Sequence, residues 1–301
     1  MNMKKILITD GMDKAAVAEL KNRGFDVTEQ FYEPDQLGAA LRNFDAVVVR
    51  SATKVRANHI DEAKGSSLSL IIRGGVGVDN IDVKYAEENG ITVKNTPAAS
   101  SASVAETALA HMFSCAHYIS IAGHTMREGK WEKKAYGKGF EVCGKTLGLV
   151  GYGRIGRTLA KMARGLGMTV LAYELRPCAD EGVTFVSLDE LLAKSDFVSL
   201  HVPALEKPLI DAEAIAKMKD GAVLINTSRG KNIDEAALID ALNSGKLRAA
   251  GLDVYAEEPT ANQELINHPA VSCTPHIGAA TVEAQKRIGF EVVDIITEFF
   301  K

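Results

Sequence analysis

Residues 145–174, KTLGLVGYGRIGRTLAKMARGLGMTVLAYE, constrain the fold more than any other stretch. Lys145–Val150 reads as a short buried strand. Gly151, Gly153 and Gly156 follow at once as G-x-G-x-x-G, then Arg154–Leu166 reads as a helix and Met168–Tyr173 as a second strand closing on Glu174. Each part has a task at a dinucleotide. Gly151 allows the tight turn out of the strand. Gly153 lacks the Cβ that would keep a pyrophosphate off the backbone, and Gly156 lets the helix pack close to the sheet. The helix start offers unpaired N–H groups and partial positive charge to phosphates. Glu174, 18 positions after Gly156, can accept hydrogen bonds from both ribose hydroxyls and would repel a 2′-phosphate, which favours NAD over NADP. Arg176, two residues further, could in principle meet such a phosphate. Glycine turns are common in α/β proteins. The strand before, the helix after and the acid in place together carry the reading.

A length of 301 residues predicts two domains, and 46% hydrophobic content is enough for two cores. A net charge of −4 gives no reason to expect nucleic acid or an acidic membrane as partner. Cys115, Cys143, Cys178 and Cys273 form no C-x-x-C pair, fit neither a disulfide framework nor a metal site, and suit a reducing cytoplasm. MNMKKILITDG lacks the long apolar core of a signal peptide; Ile6–Thr9 is more simply a first strand. No run reaches the length of a membrane span.

Strand and helix patterns alternate through residues 1–95, with strands at Lys5–Thr9, Val27–Gln30, Ala46–Arg50, Leu68–Arg73 and Thr92–Asn95. Single helices between strands make βαβ units and a parallel sheet. Ser103–Met126 reads as one long Ala-rich helix, with Ser103 and Glu106 as a capping box. It is a natural bridge between domains, and its apolar surface is either an oligomer interface or part of an internal core. From 145 to 276 a second α/β unit follows, with strands after Glu174 at Thr184–Val186, Phe197–His201, Ala222–Thr227, Ala249–Val254 and Val271–Thr274. Ala280–Lys301 reads as a terminal helix returning to the first domain. The expected fold is therefore α/β, with two doubly wound parallel-sheet domains and a cleft between them. One is a Rossmann cofactor domain, residues 97–280. The other is a flavodoxin-like substrate domain, residues 1–96 plus 281–301.

Three polar residues fall just beyond strand ends of the second unit: Arg229 in INTSRG, Glu258 in LDVYAEEP and His276 in CTPHIGAAT. Strand ends of an open α/β sheet line the ligand crevice, so residues far apart in sequence can converge there. Together they suit hydride transfer at a carbon bearing oxygen. An imidazole moves the proton, a carboxylate orients it and favours its charged form, and a guanidinium grips a substrate carboxylate. Taken singly, each has a plainer reading as a surface charge, a cap or a loop hydrogen bond.

GYGRIG, INTSRG, LDVYAEEP and PHIGAAT, in that order, resemble the NAD-dependent D-2-hydroxyacid dehydrogenases over nearly the whole chain. VVVRSATKV (47–55), RGGVGVDNID (73–82) and NTPAASSASVAE (95–106) are similar to the phosphoglycerate dehydrogenase branch of that family. The resemblance implies that Arg229 holds the substrate carboxylate, Glu258 partners the histidine, and His276 is the acid/base. It implies cofactor contacts from Gly151, Gly153, Gly156, the backbone of Arg154 and Ile155, Glu174, Pro203, Thr227, Ser228, Arg229 and Asp253. Arg50 and Arg73 would meet a substrate phosphate, and Gly75 and Val76 would offer N–H groups to the carboxylate. A basic residue from a partner subunit, Lys133 or Lys134, would complete that pocket; a solvated charge run is the plain alternative.

The implied reaction is oxidation of 3-phosphoglycerate by NAD at the entry to serine synthesis, in a cytoplasmic homodimer with no metal. Closure would hinge near Asn95–Ala99 and Ile277–Thr281. The sequence departs from the family at Val202, where Thr is usual, and after Pro203, where ALEKPLID replaces a Thr-rich loop. It stops at Lys301, so feedback by serine through an added domain is not expected. Two rivals stay open: a glyoxylate or hydroxypyruvate reductase, and an NAD(H)-sensing scaffold or co-repressor.

Overall fold

A computed structural model of the protein describes residues 3–301. Their backbone divides into two compact units, one running to Ser100 and resuming at Ala279–Lys301, the other Ser101–Gly278. In the first, β1 (Lys5–Ile8), α1 (Lys14–Asn22), β2 (Asp26–Glu29), α2 (Pro34–Leu41), β3 (Ala46–Val49), α3 (Ala57–Ala63), β4 (Leu70–Arg73), α4 (Val83–Glu88) and β5 (Thr92–Asn95) alternate. All described pairings are parallel, in the order β2-β1-β3-β4-β5. This is the flavodoxin-like order, with its switch point between β1 and β3. Successive strand residues face opposite sides. Ile6, Ile8, Val48, Leu70 and Ile72 pack on one face with Val17 and Leu20 of α1, while Leu7, Val47, Val49 and Ile71 meet Leu37, Leu41 and Ile60 on the other.

The second unit opens with α5 (Ser101–His117) and α6 (Ile119–Arg127). Then come β6 (Thr146–Val150), α7 (Arg154–Gly165), β7 (Thr169–Tyr173), β8 (Thr184–Phe185), α8 (Leu188–Lys194), β9 (Phe197–Leu200), α9 (Ala212–Lys217), β10 (Ala222–Asn226), α10 (Glu235–Ser244), β11 (Leu247–Leu252), α11 (Gln263–Ile266) and β12 (Val271–Cys273). The parallel order β12-β11-β10-β9-β6-β7-β8 is the Rossmann order with one strand added at the far edge. α5 and α7 cover one face through Ala108, Met112, Leu159 and Ala163; α8, α9 and α10 cover the other through Leu191, Ile215 and Leu238. The expected α/β class with two doubly wound parallel sheets is what the chain adopts.

The last helix, α12 (Val282–Phe299), belongs to the first unit, where Val292, Val293 and Ile296 join the core face of β1, β3 and β4. Burying these three side chains contributes about 1.5–3 kcal/mol each. Among the described residues no helix is long and apolar enough to cross a membrane.

The long helix expected over Ser103–Met126 is broken. It starts at Ser101, so Ser103 lies inside the first turn and not at the cap, and Tyr118 separates α5 from α6 with φ 58° and ψ 27°. A left-handed non-glycine residue costs roughly 1–2 kcal/mol, and tertiary contacts hold it there. Ser114 Oγ accepts the Ser120 N–H (3.2 Å), Arg248 donates to the Tyr118 hydroxyl (3.3 Å), and the Tyr118 and Tyr136 rings lie 5.8 Å apart. The short α11 and a 3₁₀ turn at Gly230–Asn232 also went unread in the sequence.

Candidate functional site

The glycine turn sits at the end of β6, at the switch point between β6 and β9. Gly151 has φ +94°, and a Cβ there would lie 2.7 Å from the His201 carbonyl oxygen, so both space and backbone angle demand glycine. At Gly156 a Cβ would meet the Gly151 carbonyl oxygen at 2.4 Å. Gly153 differs: a Cβ there would meet nothing within 4 Å. That open space lies at the N-cap of α7, above the N–H groups of Arg154 and Ile155, where a diphosphate would be received.

Glu174 follows β7 and is held in place by the turn. One carboxylate oxygen accepts the Tyr152 N–H (2.8 Å) and the other the Leu175 N–H (2.9 Å). Each keeps lone-pair capacity for a ribose hydroxyl. Arg176 is exposed. On the opposite side of the switch point, the Thr227 hydroxyl is buried with no partner among the described residues, and a buried hydroxyl without a partner is unusual. Open backbone at Gly153, an oriented Glu174 and an orphaned Thr227 hydroxyl fit a dinucleotide. Pro203 is exposed, on the loop that follows β9.

The segment after β10 is organised by two asparagines that the sequence reading did not single out. Asn226, fully buried, accepts from the Ser228 N–H (3.0 Å) and hydroxyl (2.8 Å) and donates to the Arg229 carbonyl (2.9 Å). Asn232, also fully buried, donates to the Pro203 carbonyl (3.1 Å) and accepts the Leu205 N–H (3.1 Å). The Pro203 and Thr227–Arg229 segments are thereby tied together. Gly230 then lies flat on the next loop, where a Cβ would fall 1.9 Å from the Tyr255 carbonyl carbon.

Tyr255 is the post around which the polar trio gathers. Its N–H donates to Glu258 Oε1 (3.2 Å), and its buried hydroxyl donates to the Thr274 carbonyl (3.0 Å). Burial raises the Tyr255 pKa, so the phenol stays a donor. Glu258 Oε2 lies 2.7 Å from His276 Nδ1. Partial burial alone would raise the Glu258 pKa. The His276 hydrogen bond and charge, the Tyr255 N–H and the charge of Arg229 outweigh it and hold the carboxyl below its ordinary value. A carboxylate only accepts, so His276 Nδ1 carries a proton toward Glu258 and Nε2 is the nitrogen left to exchange a proton with a substrate. Arg229, Glu258 and His276, from three strand ends, are thus brought into one cluster. His276 itself has φ 54°, a conformation that costs about 1–3 kcal/mol in a non-glycine residue and gathers at functional sites.

Asp253, expected at the cofactor, is almost wholly buried and spends its carboxylate on the His276 loop. It accepts from the Thr274 hydroxyl (2.6 Å), the Ile277 N–H (2.8 Å) and the Gly278 N–H (2.8 Å). His201, at the end of β9 beneath the glycine turn, was not anticipated either; burial pushes its pKa down to about 4, which keeps it neutral.

The remaining candidates belong to the first unit. Arg50 follows β3 and Arg73 ends β4, and both border the Gly74–Gly75 turn: a Gly74 Cβ would lie 3.5 Å from Arg50 Cγ, and the Arg73 guanidinium lies over Gly75. The Arg50 loop is braced by Asp10, which accepts the Arg50 N–H (2.6 Å) and the Thr53 hydroxyl (2.6 Å), and by Asn80, which donates to the Arg50 (2.6 Å) and Thr53 (2.7 Å) carbonyls. The Gly75 N–H, expected to face a carboxylate, donates to the Arg73 carbonyl (2.8 Å) across Gly74. Val76 is exposed, as are Lys133 and Lys134.

Residues 109–278 match the family described as D-isomer specific 2-hydroxyacid dehydrogenase, NAD binding domain. Hydroxypyruvate reductase of Thermotoga maritima is 48% identical over 97% of both chains. D-3-phosphoglycerate dehydrogenase of Methanocaldococcus jannaschii is 41% identical over 99% of this chain, which spans 58% of that longer protein. Among solved structures, a glyoxylate reductase from Paecilomyes thermophila superposes with TM-score 0.87 at 32% identity, over 98% of this chain and 94% of that one.

Proposed function

Because the chain belongs to the D-isomer specific 2-hydroxyacid dehydrogenases, and is therefore an NAD-dependent oxidoreductase, we propose that it interconverts 3-phosphoglycerate and 3-phosphohydroxypyruvate. The observation that carries the substrate is the pair of arginines bordering the Gly74–Gly75 turn, one of them on a loop braced by Asp10 and Asn80. That loop follows β3, at the switch point of its sheet, where open α/β sheets bind ligands. A phosphate dianion suits two guanidinium groups; a plain methyl or hydroxymethyl group does not.

In the oxidative direction, His276 Nε2 takes the proton of the substrate hydroxyl and Glu258 stabilises the imidazolium that forms. Arg229 holds the substrate carboxylate in a bidentate pair and so fixes which face of the carbon is presented. NAD held by these residues would supply the hydride acceptor for that carbon. Gly153, Arg154 and Ile155 receive the diphosphate, Glu174 the ribose hydroxyls, and Thr227 a cofactor acceptor.

Reduction of hydroxypyruvate is the second reading, favoured by the 48% identical relative that matches this chain end to end. NADH oxidation with 3-phosphohydroxypyruvate, hydroxypyruvate, glyoxylate and pyruvate at equal concentration separates the two. Preference for the phosphorylated acid by about a hundredfold in kcat/KM corresponds to roughly 2.7 kcal/mol. Arg50→Ala is then expected to erase most of that preference by raising KM for the phosphorylated acid alone. Equal loss on both acids would remove the phosphate assignment.

Glu174→Ala is expected to raise KM for NADH about tenfold or more, the cost of losing hydrogen bonds to a charged acceptor, and to lower KM for NADPH. An unchanged NADH to NADPH ratio would put the ribose contact elsewhere. A cytoplasmic homodimer completes the reading. Exposed Ile119 and Met126 of α6 and Trp131 just after it support a self-association face, and a monomer by light scattering would remove it.

A further inference from the structure

His111, in the middle of α5, is only 3% exposed and plays no part in the chemistry above. Its ring bridges two hydroxyls from the chain after β11: Nδ1 lies 2.9 Å from Ser272 Oγ, and Nε2 lies 3.0 Å from Thr274 Oγ1. The Thr274 hydroxyl is itself 2.6 Å from Asp253 Oδ1. The direction of each bond follows. The carboxylate can only accept, so the Thr274 proton points to Asp253. The Thr274 oxygen must then accept from His111, so Nε2 carries the ring proton. Burial lowers the His111 pKa, which keeps the ring neutral and leaves Nδ1 as acceptor for the Ser272 hydroxyl. One tautomer satisfies the whole chain.

We infer that His111 is a positioning residue for the acid/base loop, acting through Thr274 and Asp253 to hold His276 in its left-handed conformation. The clamp straddles that residue. Asp253 grips Thr274 before His276, and the Ile277 and Gly278 N–H groups after it. Beside the Glu258 hydrogen bond to the ring and the His276 N–H bond to the Thr274 carbonyl (3.1 Å), these pins on both flanks hold the φ of 54°. His111 fixes the rotamer of the Thr274 hydroxyl and the direction of its proton, and so completes the flank before His276. A buried histidine with satisfied ring nitrogens is often no more than a packed core residue. Here the chain of hydrogen bonds leads out of the core and ends at the catalytic loop.

The inference rests on the reading of His276 as acid/base, and the test separates the two. His111→Leu, His111→Gln, Ser272→Ala and His276→Asn are compared in NADH oxidation with whichever of the four oxo acids the native protein turns over. His111→Leu keeps the volume and removes both hydrogen bonds. It is expected to lower kcat about tenfold, since misplacement of a catalytic group by a fraction of an ångström suffices, while KM for NADH stays within about twofold. His111→Gln restores a donor for Thr274 and an acceptor for Ser272 on one planar group, and is expected to recover most of kcat. A native kcat in His111→Leu, or equal impairment in the Leu and Gln variants, overturns the positioning role and leaves packing. If the Leu variant does not fold, Ser272→Ala decides: a reduced kcat supports the role and an unchanged one overturns it. An inactive His276→Asn beside an active His111→Leu defeats only this inference, whereas an active His276→Asn defeats the acid/base reading itself.

Discussion

Replacing His276 with Asn is expected to cut kcat by about a thousandfold, within the range that general acid/base groups contribute, and to leave the fold intact. Asparagine is the informative choice because it tolerates left-handed backbone, and the site demands φ near 54°. Its amide can still donate to Glu258, which the imidazole now does across 2.7 Å. What it lacks is a base at the position of Nε2. The loss corresponds to about 4 kcal/mol of barrier. NADH binding, followed by fluorescence, should be unchanged. A variant retaining more than a tenth of native kcat would move the proton transfer to another group.

The second large effect is expected at a residue that touches no substrate. Gly230→Ala would place a methyl group 1.9 Å from the Tyr255 carbonyl carbon, so one of two buried backbone segments has to move. Overpacking of this kind costs about 3 kcal/mol, or roughly a 10 °C fall in Tm for a domain of this size. The catalytic consequence is separable. The Gly230 contact holds Arg229 beside the loop whose Tyr255 N–H orients Glu258. Displacement by about 1 Å is expected to lower kcat/KM about a hundredfold even well below Tm. A variant that melts early yet turns over normally at low temperature would show that Arg229 does not depend on this packing.

The parts that could be read in the sequence are those whose cause is local. The glycine turn at 151–156 is legible because strand, turn, helix and acid adjoin one another, and the structure seats Glu174 directly on the turn through Tyr152. Alternating strand and helix patterns likewise foretell two parallel sheets. Arg229, Glu258 and His276 could be singled out because polar residues at strand ends carry meaning in this architecture. The Tyr118 break could not, since an Ala-rich helical pattern runs straight through it and its cause lies partly at Arg248, 130 residues away. Nor could the bracing of the site. Asn226 at a strand end and Asn232 beyond it look like ordinary amides, and His111 finds Ser272 across 161 residues. The Asp253 carboxylate and the Gly75 N–H likewise have backbone partners, at Ile277 and Arg73, that no local pattern announces. Pattern reveals where ligands come to the sheet, but the hydrogen bonds that aim the side chains are settled only once distant strands are adjacent.

The placement of α12 has a consequence for how the molecule comes into being on the ribosome. The first sheet leaves the exit tunnel early, yet one of its faces is finished by Val292, Val293 and Ile296, which emerge only after the whole of Ser101–Gly278 has been made. Until then Ile6, Ile8, Val48, Leu70 and Ile72 lack part of their cover. The nascent chain therefore carries an oily, half-dressed sheet while all of Ser101–Gly278 is being made, and the nucleotide-binding unit, drawn from one unbroken stretch, has everything it needs to close first.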